Sequence, residues 1–150
     1  MATYQSNVIK LAMPPITGTP YPKFTKGQVG AAPADVLAGN TLQVGDQIQL
    51  FKVSAPGGLF EYNIDIPVLD GSGGTLVMEL TDGTNVLQSG ITAGQTAAGR
   101  VTSASAAHGT LGDAVDYSAT TLIYLQVTTA ATNAVPANAQ INFIAETQND

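Results

Sequence analysis

The chain has 150 residues, enough for one domain of ordinary size. It contains no cysteine, which excludes disulfide frameworks, thiolate chemistry and cysteine-held metal or iron–sulfur centres. Only 11% of residues are charged, the formal net charge is −6 and all eleven acids lie beyond residue 34, so a polyanion such as nucleic acid is not an expected partner.

Taken from the start, residues 1–44 read as an extended, proline-rich arm. Pro14, Pro15, Pro20, Pro22 and Pro33 each fix φ near −65° and push the preceding residue toward extended backbone, which excludes helix across that window. Met13, Ile16, Tyr21 and Phe24 stand between the prolines, where an inert linker would carry glycine and serine instead. After Met1 no basic segment leads into an apolar run, so a secretory signal is not expected.

From residue 45 the pattern is that of strands, as a composition rich in Thr and Val but poor in Lys and Glu also suggests. GDQIQLFKVS (45–54) reads as a strand closed by the turn at 55–58. Phe60, Tyr62, Ile64 and Ile66 alternate with Glu61, Asn63 and Asp65, the signature of a half-buried strand. The turn LDGSGG (69–74) precedes TLVMEL, with Leu76, Met78 and Leu80 on one face, and Asp82-Gly83 then signals a tight hairpin with its return strand beginning at Asn85.

Residues 89–119 alternate small residues with isolated apolar ones and suggest one short strand near Arg100 to Ser105. TLIYLQVTT (121–129) places Ile123, Leu125 and Val127 on one face, and AQINFIAET (139–147) does the same with Ile141, Phe143 and Ala145. The two runs read as a hairpin with a long tip. The stretch Tyr117 to Ala145 carries no charge, yet its many Ser, Thr, Asn and Gln residues and Pro136 exclude a bilayer span, so no membrane partner is expected. Seven or eight short strands between such turns make an all-β sandwich over 45–150.

Chemistry finds little to work with. His108 is the chain's lone imidazole, with Ser103 and Ser105 before it and Asp113 and Asp116 after it, but no G-x-S-x-G elbow accompanies them. Asp65, Asp70 and Asp82 fall near strand ends and could offer oxygen ligands to calcium; no D-x-[DN]-x-[DN]-G loop is present, and an Asp-Gly turn explains two of them without a metal. GSGG (71–74) lacks the lysine and following helix of a phosphate loop. Trp is absent and Tyr62 is spent in the core, which leaves Tyr4, Tyr21, Tyr117 and Tyr124 as possible platforms for a sugar. No enzyme, cofactor or metal is expected.

GDQIQLFKVSAPGG (45–58), LFEYNIDIPVLDGSGGTLVMELTDGT (59–84) and TTLIYLQVTTAATNAVPANAQINFIAE (120–146) together resemble the jelly-roll head decoration, or cement, proteins of tailed bacteriophages. The resemblance implies a jelly-roll sandwich that sits as a homotrimer on the outer capsid surface of the virion and clamps neighbouring major capsid subunits. It also implies an N-terminal arm lying along the shell. Ile9, Leu11, Met13, Ile16, Tyr21 and Phe24 would then be the apolar anchors, with Lys10, Lys23 and Lys26 meeting carboxylates of the major capsid protein. The alternatives are a glycan- or receptor-binding module on capsid or tail, and a structural protein of the tail or baseplate.

Overall fold

The chain folds back on itself about the Asp82-Gly83 turn, and strands before that turn pair with strands after it in nested order. A computed structural model describes residues 1–10, 26–32, 37–53, 57–103 and 116–148. Its elements are β1 (Thr3–Gln5), α1 (Asn7–Lys10), β2 (Lys26–Ala32), β3 (Gln47–Val53), β4 (Gly57–Ile66), β5 (Val77–Thr81), β6 (Val86–Ile91), β7 (Gly99–Thr102), β8 (Asp116–Tyr117), β9 (Thr121–Thr129) and β10 (Ile141–Gln148). Innermost, β5 pairs with β6; around them β4 pairs with β7 and β8, β3 with β9, and outermost β2 with β10, all antiparallel.

Rolled up, this long hairpin gives two sheets. Sheet one runs β1-β3-β9-β5-β6, and sheet two runs β2-β10-β4-β7 with β8 added beside β4. Successive strands from β2 to β5 change sheet at each step, which is the double-sheet jelly roll. The fold is an all-β sandwich, as the strand pattern implied.

Period-two alternation supplies the core. Ile123, Leu125 and Val127 of β9 face Ile64 and Ile66 of β4 and Ile141 and Phe143 of β10 across the interior, all essentially inaccessible. Phe51 and Phe143 join the two sheets, with ring centroids 5.4 Å apart. A register shift between Gln49 and Phe51 lets the adjacent Leu50 and Phe51 both point inward, which strict alternation forbids. In the loop between β6 and β7, Gly94 has φ +88° and a Cβ there would lie 2.8 Å from Ile66 Cγ2 and 2.9 Å from the Pro67 carbonyl oxygen.

Three features differ from the sequence reading. First, β9 and β10 are not a hairpin: each is an inner strand of a different sheet, and residues 130–140 form the crossover. Alternation marks which side of a strand is buried but not which sheet the strand joins. Second, parts of the segment expected to be an arm belong to the sandwich: β1 adds parallel to β3, and β2 lies in unbroken register along β10, from Lys26 opposite Thr147 to Ala32 opposite Ile141. β2 is composed largely of Gly and Ala and so carries no apolar alternation to announce it. Third, a single helical turn, α1, precedes the prolines. Ser6 caps it by accepting from the Ile9 N–H at 3.3 Å, while its own hydroxyl donates to the Leu50 carbonyl oxygen.

Candidate functional site

The carboxylates singled out as candidate ligands are engaged by the fold itself. Asp70 is 2% exposed. One oxygen accepts from the Thr75 and Leu76 N–H groups at 2.6 and 3.0 Å; the other accepts from the Thr132 and Asn133 N–H groups at 2.9 and 2.6 Å, and from the Asn133 side chain at 3.1 Å. Burial alone would raise its pKa, but these donors favour the anion and hold the carboxyl below its ordinary value. Asp70 therefore ties the approach to β5 to the β9–β10 crossover.

Asp82 is used in the same way at the opposite turn. Its carboxylate accepts from the Thr84 and Asn85 N–H groups at 2.7 and 2.6 Å, from the Asn85 side chain at 2.9 Å and from the Tyr117 hydroxyl at 3.0 Å. Burial opposes these donors and loses, so this carboxyl too lies below its ordinary value. Burial, with the Asp82 charge beside it, pushes the Tyr117 phenol up. The Tyr62 hydroxyl, raised to about 12 by burial, donates to Gln88 Oε1 at 3.2 Å, so two tyrosines of sheet two reach across to sheet one. Asp65 forms an exposed ion pair with Arg100 at 2.6 Å, which lowers the carboxyl through the hydrogen bond.

Among the described residues no three His, Asp or Glu side chains gather as a metal site. Ser103 accepts from the Tyr62 N–H at 3.4 Å. His108, Ser105 and Asp113 lie outside the described residues. Of the tyrosines weighed as sugar platforms, Tyr4 and Tyr117 are buried, Tyr124 is half-buried, and Tyr21 lies outside the described residues.

The expected capsid contacts are only partly described. Ile9, half-buried, and Lys10, exposed, end α1, which packs on β2 and β3. Lys26 opens β2. Leu11, Met13, Ile16, Tyr21, Lys23 and Phe24 lie outside the described residues, so the set is not brought together.

What the sandwich does present is two contrasting outer faces. On sheet two, Asp65 and Arg100 close on each other beside the exposed Asn142, and a shallow groove runs from them past Pro67 to Gln140. On sheet one the outward positions midway along β3 and β9 are amides and a ring: Gln47 and Gln126 are register partners, as are Gln49 and Tyr124, and all four are half-buried. Gln5 of β1 extends this row by donating to Gln49 Oε1 at 3.1 Å. The alignment of these glutamines across three strands is a product of register, which the sequence pattern does not announce.

No protein-family model and no curated protein matches the sequence. Two solved structures match the fold. A chain of the capsid of Ralstonia phage GP4 superposes with a TM-score of 0.73 at 17% identity over 99% of both chains. The fold is one that phage capsids contain. A chain of the cyanophage Pam1 capsid asymmetric unit gives a TM-score of 0.64 at 13% identity, over 93% of this chain and 96% of that one. At these identities the likeness is one of fold, and with the Ralstonia phage GP4 chain it spans nearly the whole sequence.

Proposed function

We propose that this chain is a structural virion protein that binds the outside of a tailed-phage capsid as a homotrimer and cements neighbouring major capsid subunits. The observation that carries this reading is the fold shared with chains of two phage capsids, over 99% and 93% of this chain. Fold alone does not set function, so the site must agree with it. Supporting it, Asp70 and Asp82 are engaged by backbone amides, and the middle of the outer face of sheet one, along β3 and β9, is uncharged and suits broad contact. The apolar anchors of the arm, Leu11, Met13, Ile16, Tyr21 and Phe24, would seat on the shell, with Ile9, Lys10, Lys23 and Lys26 flanking them. Prolines restrict the backbone of this segment before it binds, so ordering it costs less entropy than ordering a proline-free segment of the same length.

Cementing is a linkage effect. A protein that binds the mature shell and not its dissociated subunits stabilises the shell by mass action. Adding the purified protein to undecorated heads should raise their bursting temperature in a thermal scan. A Met13→Ser, Ile16→Ser, Tyr21→Ser, Phe24→Ser variant should keep the parent's own unfolding temperature and lose the effect on heads. No shift at saturating protein, or difference density confined to the tail in cryo-electron microscopy, would overturn the proposal.

A further inference from the structure

The outer face of sheet one carries two charges, Lys52 and Glu79, that have no ion-pair partner among the described residues. Lys52, exposed on β3, stands opposite Leu122 of β9; Glu79, half-buried on β5, stands opposite Gln126 of the same strand. The two lie on either side of β9 and four residues apart along it, with Tyr124 between. At a rise of about 3.3 Å per residue and a spacing of about 4.8 Å between strands, the two positions are roughly 16 Å apart. An ion pair within one copy is out of reach, and among the described residues neither side chain has another ion-pair partner. On sheet two, by contrast, Asp65 and Arg100 satisfy each other.

We infer that this face is where copies of the chain meet, with Lys52 of one copy set against Glu79 of the next. This rests on the self-association contained in the proposed function and assigns it a surface. The occupant is a second copy because one face carries both members of an ion pair that a single copy cannot close. Opposite charges stand at diagonal corners, and the middle, Gln47, Gln49, Leu122, Tyr124 and Gln126, carries no charge. A chain with a net charge of −6 carries a net repulsion toward its own copies, and a face with one cation and one anion adds nothing to that repulsion. A head-to-tail contact around a rotation axis joins each Lys52 to the neighbouring Glu79, and it closes as a ring when the rotation closes. Amides in the middle can exchange hydrogen bonds side chain to side chain without leaving a buried charge.

The test is the mass of the full-length protein in solution, by sedimentation across a concentration series. Parent protein should be a trimer. Lys52→Glu and Glu79→Lys should each weaken association by about tenfold or more, since each places like charges together. The double variant Lys52→Glu, Glu79→Lys should recover the trimer, a result that no loss of folding can imitate. If both single variants keep the parent's mass, this face is not the interface although self-association stands. If they dissociate and the double variant does not recover, the pairing is wrong. A parent that stays monomeric at every concentration overturns the self-association itself, while capsid decoration is judged separately by the bursting temperature.

Discussion

At Asp70, a side chain that reads in sequence as a turn residue or a calcium ligand is instead the point where two loops are held together. Its donors at 132 and 133 are some sixty residues away, so no local signal could disclose them. Asp70→Ala leaves several buried N–H groups without an acceptor and should lower stability by about 3 kcal/mol, read from urea unfolding. The sign with pH follows from the depressed carboxyl. Asp70's contribution is complete above the ordinary value of 3.8 and is lost as pH falls through the lower folded value, so parent and variant should converge in acid. Gly94 is constrained in a different way. With φ at +88° and Ile66 and the Pro67 carbonyl against the position of a Cβ, Gly94→Ala should cost about 2 kcal/mol or more, visible as a lower unfolding temperature.

Among the elements, those that alternate cleanly were legible. Tyr62, Ile64 and Ile66 in β4 and Ile123, Leu125 and Val127 in β9 are buried as their spacing predicted, and the Asp82-Gly83 turn joins β5 to β6. Partnership was not legible, because strands that alternate alike can join either sheet; β9 and β10 were separated by topology alone. Three-residue β1 was invisible for a further reason: it is held mostly by what lies around it. The Ala2 N–H donates to Asp46 at 2.5 Å, the Gln47 N–H to the Ala2 carbonyl at 2.9 Å, and the Ser6 N–H to the Gln49 carbonyl at 2.9 Å. Ser6 is fully buried and serves both β3 and α1. Ser6→Ala should therefore cost about 1–2 kcal/mol and, in hydrogen exchange, speed the Gln47 amide more than amides of β9.

Taken whole, the molecule was legible as a β-sandwich from its spacing and turns, whereas its candidate surface was not. The glutamine row on sheet one and the diagonal of Lys52 and Glu79 exist only once β3, β9 and β5 are in register. The nested pairing also has a consequence for how the chain is made. As the ribosome passes Asp82-Gly83, β6 meets β5, the strand just completed; β7 and β8 then meet β4, β9 meets β3, and β10 meets β2. Each new strand finds its partner already synthesised, in the reverse of the order in which the partners emerged. β2, the first of these to emerge, waits longest without its mate, and with the sequence KGQVGAA it is poor in the large apolar residues that make an unpaired strand aggregate. The order of synthesis thus leaves the least adhesive strand exposed for the longest time.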